Sequence, residues 1–342
     1  MNLNKPKSYL EGLTFKSKSG QQKTKESLIT MIDSPKTDAP LSASFVNVPV
    51  VTDWKELNTQ AVIFGVPHGK PYDKKQFPNN QSTAPNALRA ASPRIVISDE
   101  AVDMDSKDLF SLSDIILVDG GDIPLHDNNI AQHYADAEKA VRYATKRGII
   151  PVSIGGDDGV TNPVIRGLDN LSDITLVQID AHLDWRDERF GETDGYSSPM
   201  RRASELSHIS SIHQIGIRSF GSSLQSDVLD AQNWGAHLHM ARDIHQNGIQ
   251  AVIESMPPGG PFFITLDVDG LDPAIMPGTL ARAPGGLDWW QIIELFEGLA
   301  ERGDIVGINV VELAPKNDLN QVSLIGVGRI ILKILMLQLS KL

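Results

Sequence analysis

ITLVQIDAHLD, residues 174–184, is a largely apolar run that leads directly into a cluster of two Asp and one His. A second stretch, FFITLDVDGLDP at residues 262–273, has the same plan with three Asp. Alternate side chains of an extended chain point to the same side. The side chains expected to lie together are Asp180, His182 and Asp184 in the first stretch, and Asp267 and Asp269 in the second. Burying so many carboxylates is costly unless cations compensate them, so the two stretches predict a pair of divalent metal ions.

The overall composition is that of an ordinary globular protein with an acidic surface. Of the 342 residues, 41% are hydrophobic and 22% are charged, and the formal net charge is −12. This charge argues against nucleic acid or an anionic membrane as a partner. The chain has no cysteine, which excludes disulfides and thiolate chemistry. No signal-peptide pattern is present at the N-terminus and no apolar run approaches the roughly 20 residues of a membrane span, so we expect a cytoplasmic protein with no membrane partner.

The chain divides into an irregular arm and one domain. Residues 1–58 are rich in Lys, Ser, Thr and Pro and show little periodicity, which predicts an arm that either wraps a neighbouring subunit or is mobile. Residues 59–342 contain neither an internal repeat nor a linker. We therefore expect them to form a single domain.

Seven short apolar runs are typical of buried strands. They lie at residues 61–67, 114–118, 149–154, 175–179, 212–217, 262–266 and 305–311. Between them, residues 130–147 and 289–302 carry apolar side chains three or four positions apart, as amphipathic helices require. Strands that alternate with helices predict βαβ units, and hence an α/β fold with a parallel sheet covered on both faces.

Four polar motifs follow predicted strands and are expected to converge. Besides the two acidic stretches, these are GGDD at residues 155–158 and VVE at residues 310–312. Ligands of open parallel sheets bind beyond the carboxyl ends of the strands. A pair of Asp after one strand is usually a helix cap or a turn. The convergence of all four motifs instead favours a functional site, with Asp157 either supporting it or capping the following helix.

These motifs resemble those of the ureohydrolases, the family of arginases and agmatinases. The family's Asp-Ala-His-x-Asp and Asp-x-Asp-x-x-Asp-Pro segments are intact at residues 180–184 and 267–273, and the resemblance covers roughly residues 60–340. It implies a three-layer α/β/α sandwich with a mostly parallel sheet and a binuclear metal site, usually Mn²⁺ and in some branches Ni²⁺. It also implies hydrolysis of a guanidino or amidino C–N bond in a small molecule, with release of urea or an amine, by trimers or hexamers.

Asp158 is the first departure from the family pattern, because most members have a histidine ligand there. Carried over by position, the resemblance implies one ion held by Asp158, Asp180, Asp184 and Asp267, and another held by Asp180, His182, Asp267 and Asp269. A carboxylate at position 158 keeps an oxygen ligand suited to Mn²⁺. Its added negative charge is expected to make a bridging water less acidic.

Tyr196 is the second departure, because it stands where many relatives have a histidine thought to relay protons. A tyrosine with a pKa near 10 is a poor base at neutral pH, although it can donate a proton. Asp194 or His208 could substitute for it. The arrangement resembles a guanidine-hydrolase-like branch of the family, which favours a functional variant.

The resemblance also implies roles for residues around the metals. Glu312 is expected to pair with the guanidinium edge through two parallel hydrogen bonds, although alone it could be a surface residue or a cap. Together with Tyr196 and Asp184 it makes up the predicted catalytic set. The predicted substrate-binding residues are Glu312, His68, Trp185 and Arg186. Arg186 would either suit an anionic substrate tail or pair with Asp187 or Glu188.

Three functions remain open from the sequence. The leading one is a metal-dependent amidinohydrolase acting on agmatine, guanidine or a related guanidino compound, as a homo-trimer or hexamer. The second is a weakly active or non-catalytic subunit that supports an active paralogue in a hetero-oligomer, which the changes at Asp158 and Tyr196 favour. The third, a binuclear phosphoesterase, predicts more histidine ligands than the chain offers near its aspartates.

Overall fold

One sheet of eight parallel strands forms the centre of the protein. The computed structural model describes residues 33–72, 80–96, 98, 103–105, 112–220 and 223–341. The strands are β1 (Ala61–Val66), β2 (Leu117–Asp122), β3 (Ile150–Gly155), β4 (Ile174–Ile179), β5 (Ile209–Ile217), β6 (His237–Met240), β7 (Gly259–Asp267) and β8 (Gly303–Val311). Their order is β2-β1-β3-β8-β7-β4-β5-β6, and every pairing is parallel.

Helices cover both faces of this sheet. They are α1 (Ala84–Ala91), α2 (Ile130–Lys146), α3 (Thr161–Arg166), α4 (Pro199–Ala203), α5 (Gln225–Trp234), α6 (Ala241–Asn247), α7 (Gln250–Ser255), α8 (Trp289–Arg302) and α9 (Val322–Leu339). One apolar layer lies between the sheet and the helices α1, α6, α7, α8 and α9. A second apolar layer lies between the opposite face of the sheet and the helices α2, α3, α4 and α5. Strand side chains alternate between the layers: Ile63 belongs to the first, Val62 and Phe64 to the second. This confirms the three-layer α/β/α sandwich.

The two helices predicted from periodicity form almost as expected. α2 ends one residue earlier than predicted, and α8 has the predicted bounds. α8 begins with a capping box, in which Asp288 accepts from the Gln291 backbone N–H at 2.9 Å and the Gln291 side chain accepts from the Asp288 N–H at 3.0 Å.

Two strands depart most from the sequence prediction, while β5 and β7 each begin three residues earlier than predicted. The run predicted at residues 114–118 forms a strand that starts and ends later, over Leu117–Asp122, because its acidic end is buried against Arg89 instead of turning to solvent. β6 was not predicted, because it is a short edge strand whose four side chains are half-buried or exposed and carry no apolar run.

The described part of the predicted arm packs onto its own sheet. Phe45 and Trp54 are both 0% exposed. The Trp54 indole N–H donates to the Gly120 carbonyl at 3.0 Å, and the Phe45 backbone N–H donates to Asp119 at 3.0 Å. Residues 33–58 are therefore attached to the domain. Residues 1–32 lie outside the described part of the chain, and the domain boundary at residue 58 stays a prediction.

By length and composition alone, α9 is long and apolar enough to cross a membrane. From the sequence, no apolar run as long as a membrane span is expected. The 18 residues of α9 have a mean hydropathy of 1.9, and 72% of the helix is buried inside the protein. It packs against α1 and α8. Lys333 interrupts it and pairs with Asp103 at 3.0 Å and Glu297 at 3.1 Å. Burial of this kind is typical of the core helix of a globular domain.

The strand order brings four chain-distant strand ends together. Strands β1 to β3 form one side of the sheet and strands β4 to β6 form the other, while β7 and β8 lie between them. The adjacent central strands are therefore β3, β8, β7 and β4. Their carboxyl ends surround the point where the direction of winding changes, which is where open α/β sheets bind ligands.

Candidate metal centre and active site

Seven polar side chains meet at the carboxyl ends of the four central strands. Asp158 follows β3, Asp180, His182 and Asp184 follow β4, Asp267 and Asp269 lie at the end of β7, and Glu312 follows β8. The six carboxylates are each at most 8% exposed. The structure thus brings together all the residues predicted as metal ligands, together with the predicted guanidinium-binding glutamate.

Two of these residues have left-handed backbone conformations. Asp184 has φ = 48° and Glu312 has φ = 64°. Asp visits this region at modest cost, whereas a left-handed Glu is uncommon. The Glu312 backbone is held by a hydrogen bond from its N–H to the Gly156 carbonyl at 2.9 Å. Single residues in this conformation are found preferentially at functional sites.

The carboxylates form two potential ligand groups that share one residue. Asp158, Asp180 and Asp267 each offer an oxygen, and these atoms lie within 4.8 Å of one another. Asp180, His182 and Asp269 form a second such group. His182 Nδ1 lies 3.3 Å from Asp180 Oδ1 and 3.2 Å from Asp269 Oδ2. Two adjoining groups around a shared carboxylate are an arrangement suited to a pair of cations.

Unpaired buried oxygens show that the donor set fits such cations. Asp158 Oδ1 accepts a 2.5 Å hydrogen bond from the Thr161 hydroxyl, whereas its buried Oδ2 has no hydrogen-bond partner. Asp269 Oδ1 accepts from the Ala181 N–H at 3.1 Å, whereas its Oδ2 accepts no hydrogen bond from a described residue and faces the His182 ring at 3.2 Å. Buried carboxylate oxygens are normally satisfied. These two oxygens belong to residues of different ligand groups, one for each potential ion.

The electrostatics of the cluster also call for positive charge. Burial raises the pKa of Asp158, Asp184 and Asp267 well above the ordinary range, and the neighbouring carboxylates raise it further. Burial alone would lower the pKa of His182, but its contacts with Asp180 and Asp269 outweigh this and raise it to about 11. These groups therefore bind protons tightly, and metal binding has to displace them.

A row of buried polar side chains crosses five strands beneath the cluster. The row is Ser153, Asn309, Thr265, Gln178 and Gln214, in neighbouring register positions on β3, β8, β7, β4 and β5. Each is at most 1% exposed. Gln178 and Thr265 precede the ligands Asp180 and Asp267 by two positions and so share their side of the strand.

The polar row orients the acidic side chains of the candidate centre. Gln178 Nε2 donates to Asp180 at 2.7 Å and to Asp184 at 3.3 Å. Gln214 in turn donates to the Gln178 carbonyl oxygen at 2.6 Å. On the other side, Asn309 donates to the Thr161 hydroxyl at 2.8 Å, and that hydroxyl bonds Asp158. Sequence reasoning missed the row, although a glutamine inside the apolar run of β4 was the available signal.

Glu312 is held from two directions. Its Oε1 accepts from the Asp158 backbone N–H at 2.9 Å, and its Oε2 accepts from Gln81 Nε2 at 2.6 Å. Burial, followed by the charge of Asp157, raises the pKa of Glu312 to about 8. Gln81 is 4% exposed and was not predicted to belong to the site, because it lies in a polar loop without a recognisable motif.

A cavity of about 560 Å³ opens onto this cluster. The predicted residues that line it are Asp158, His182, Asp184, Tyr196, Asp267, Asp269 and Glu312. Residues that the sequence did not indicate contribute the rest of the wall, among them Pro71, Gln81, Arg189, Leu280 and Ala281. Asp180 is fully buried below the cavity floor.

Tyr196 lies in the cavity wall beside a second tyrosine. Its ring centroid is 4.5 Å from that of Tyr72. Burial raises the pKa of Tyr196 above its ordinary value, so the hydroxyl is neutral near pH 7. The two residues considered as substitutes for a relay base are engaged elsewhere: Asp194 pairs with Arg166, and the His208 ring bonds the Ile165 carbonyl at 2.9 Å.

The prediction that Trp185 lines the pocket mouth is wrong. Trp185 is 2% exposed and packs 6.0 Å from the Trp234 ring within the apolar layer beneath α4 and α5. Trp185 directly follows the cavity-lining Asp184, whose backbone is left-handed, and its own side chain is directed into the apolar layer instead. From the sequence alone, the side chains that follow β4 could not be divided between the cavity and the apolar layer.

His68 and Arg186 are not among the described residues that line the cavity. The His68 ring lies 5.6 Å from that of His133, and burial lowers its pKa to about 4. Arg186 Nε lies 3.2 Å from Asp227 in α5, so Arg186 pairs with a residue other than the expected Asp187 or Glu188.

The fold and the site together define a three-layer α/β protein with a carboxylate-rich centre of the metal-binding type. The chain belongs to the arginase family, whose model matches residues 59–337. This confirms the family resemblance seen in the motifs. Members of this family are binuclear-metal-dependent amidino hydrolases that act on small guanidino substrates, and they are typically oligomeric.

Individual relatives agree with this assignment. The chain is 29% identical over 240 residues to the guanidinobutyrase of Pseudomonas aeruginosa, covering 68% of this chain and 73% of that protein. It is 26% identical over 280 residues to an agmatinase of Halalkalibacterium halodurans, covering 81% and 92%. The fold is similar to that of the proclavaminate amidino hydrolase from Streptomyces clavuligerus, with a TM-score of 0.73 and 23% identity over 87% of this chain and 97% of that one.

Proposed function

We propose that the protein is a binuclear-metal amidinohydrolase that cleaves a guanidino or amidino C–N bond of a small molecule and releases urea or an amine. The observation that carries the proposal is the pair of ligand groups around Asp180, each with a buried carboxylate oxygen that has no hydrogen bond. Relatives named guanidinobutyrase and agmatinase support the guanidino substrate class.

The residues proposed to hold the ions are those that the sequence indicated. Asp158, Asp180, Asp184 and Asp267 would hold one ion, and Asp180, His182, Asp267 and Asp269 the other. A donor set of many oxygens and one imidazole suits Mn²⁺ and also accepts Ni²⁺. When bound, two such ions supply a water of lowered pKa as the nucleophile.

Glu312 is proposed to bind the guanidinium group of the substrate. Each of its oxygens already accepts one hydrogen bond and retains a lone pair for a second. A guanidinium presents two parallel N–H groups that match a carboxylate. The positive charge of the substrate would also favour the ionised form of Glu312, whose pKa is about 8 without it.

Asp184 and Tyr196 are proposed to handle protons. Asp184 lines the cavity, and a carboxylate oxygen of it that does not hold an ion can accept the proton that the attacking water loses. Tyr196, neutral and facing the cavity, can donate its hydroxyl proton in a hydrogen bond to the leaving nitrogen. Neither role requires tyrosine to act as a base.

The experiment that tests the proposal combines metal analysis with a screen for urea and amine release. We expect two metal equivalents per chain and turnover of at least one guanidino compound with Mn²⁺ or Ni²⁺. Asp158→Ala is expected to lower the metal content and to reduce turnover about 100-fold or more, whereas Asp230→Ala, an exposed acid in α5, serves as the control. Unchanged metal content and activity in Asp158→Ala would refute the ligand assignment.

A supporting subunit in a hetero-oligomer is the second candidate, favoured by the residues found at positions 158 and 196. It predicts one metal equivalent or none, and no turnover without a paralogue. Assembly into a trimer or hexamer, as a homo- or a hetero-oligomer, stays a prediction. The cytoplasmic location also stays a prediction. Mass measurement in solution addresses the assembly directly.

A further inference from the structure

Charge is divided between the inner and the outer side of the cavity. The carboxylates of the metal centre are nearly fully buried at its base. Among the described lining residues, Arg189 is the one arginine or lysine. It lies in the loop between β4 and α4, and its side chain is exposed, which places it on the open side of the cavity.

Arg189 differs from the basic residues around it in having no carboxylate partner among the described residues. Its neighbours are paired: Lys70 with Glu192 at 3.3 Å, Arg166 with Asp194 at 2.5 Å, Arg186 with Asp227 at 3.2 Å and Arg202 with Asp187 at 2.5 Å. The guanidinium of Arg189 instead lies 5.1 Å from the Tyr72 ring centroid and 5.4 Å from that of Phe190.

Tyr72 gives Arg189 a fixed support. The Tyr72 hydroxyl accepts from the Ser197 backbone N–H at 3.1 Å and lies 2.5 Å from the Ser197 hydroxyl, while its ring packs against Tyr196. A guanidinium over an aromatic ring keeps its in-plane N–H groups free to bind an anion in two parallel hydrogen bonds. Arg189 is therefore oriented and unneutralised at the entrance to the acidic centre.

We infer that Arg189 binds the anionic end of the substrate, and that the substrate class is the ω-guanidino carboxylic acids. The inference rests on the proposed function, in which the guanidinium end lies at Glu312. Pro71, Leu280 and Ala281 line the same cavity and suit the methylene groups between the two ends. A substrate with an ammonium group at the far end would meet the positive charge of Arg189 and bind less well.

The test compares 4-guanidinobutyrate with agmatine, which are similar in length but opposite in terminal charge. We expect a lower KM for 4-guanidinobutyrate in the wild type. Arg189→Met keeps the apolar stem over Tyr72 and removes the charge, so the KM for 4-guanidinobutyrate is expected to rise about tenfold and that for agmatine to fall. The change should be smaller in kcat, because the guanidino end is unaltered. Arg189→Glu is expected to reverse the preference.

Arg202→Met is the matched control, because Arg202 pairs with Asp187 of the same loop and does not line the cavity. It should leave the ratio of the two KM values unchanged. A wild-type preference for agmatine, or equal changes for both compounds in Arg189→Met, would overturn the inference.

A binding measurement separates this inference from the proposed function. If the wild type hydrolyses no guanidino compound, the proposed function fails, and calorimetric titration of the Mn²⁺-loaded protein with 4-guanidinobutyrate decides the role of Arg189 alone. Binding weakened about tenfold in Arg189→Met supports that role. Equal binding by both proteins, or no binding by the wild type, refutes it.

Discussion

Several carboxylates of the metal centre have one oxygen held by the protein. The Thr161 hydroxyl holds Asp158, the Asp269 backbone N–H holds Asp267 at 2.8 Å, and the Ala181 N–H holds Asp269. A ligand fixed through one oxygen presents the other in a defined direction. The hydrogen bond from Thr161 therefore explains how an aspartate at position 158 can serve where relatives are expected to have histidine.

Gln178→Leu is expected to weaken metal binding about 10- to 100-fold, because it removes the donor to both Asp180 and Asp184. Leucine has a similar volume, so the core should remain filled. The affinity is measured by titrating metal-free protein with Mn²⁺. Gln250→Leu, at an exposed position where the glutamine bonds Glu254, is the control. Equal Mn²⁺ affinity in Gln178→Leu and the wild type would show that Gln178 does not orient the ligands.

At the scale of elements, apolar periodicity predicted the strands and helices that have one simple environment. α2 and α8 each bury one apolar stripe, and the central strands are buried on both faces and largely apolar, so their sequence patterns are strong. The prediction placed β2 too early in the chain. Asp119 lies within this strand because it forms a buried ion pair with Arg89. β6 was missed, because an edge strand does not need apolar side chains.

The ion pair of Arg89 joins α1 to β2 and to the N-terminal segment. Arg89 bonds both oxygens of Asp119, at 2.8 and 2.9 Å, and Asp119 also accepts from the Phe45 N–H. Arg89→Met is expected to lower the free energy of unfolding by about 3–5 kcal/mol, because it leaves a buried carboxylate unpaired. Urea denaturation measures this.

The matched control for Arg89 is a half-exposed arginine. Arg142 pairs with Glu138 and Asp169 at the surface of α2. Arg142→Met should change the free energy of unfolding by less than about 1 kcal/mol, because exposed pairs contribute little. Similar losses in the two variants would contradict the argument from burial.

At the scale of the whole molecule, Asp194 connects two segments that are distant in the chain but both lie near the cavity. It accepts from Arg166 at the end of α3 at 2.5 Å and from Lys70 after β1 at 3.1 Å. Burial would raise the pKa of Asp194, but these two cations outweigh it and lower the pKa below its ordinary value. The stabilisation is therefore present above the unfolded-state pKa and is lost as the pH falls through the lower folded-state pKa.

Asp194→Asn should be less stable than the wild type at pH 7, by up to about 1 kcal/mol given the partial exposure of the pair. The difference should shrink between about pH 5 and pH 3, as wild-type Asp194 takes up its proton. Thermal unfolding at a series of pH values measures it, with Asp230→Asn as the exposed control. A difference that stays constant with pH would mean that the charge of Asp194 is not its cause.

The sequence by itself determined the parallel α/β class, the acidic residues of the candidate site and the family motifs. These follow from local rules, because strand runs, alternation and short motifs are contained in neighbouring residues. Tertiary structure decided which strand ends meet, which side chains face the cavity and which support it. Gln81, Gln178 and Arg189 contact residues far away in the chain, which are Glu312, Gln214 and Tyr72, and Trp185 is turned into the core. Such contacts depend on strand order and loop conformation, which no local pattern encodes.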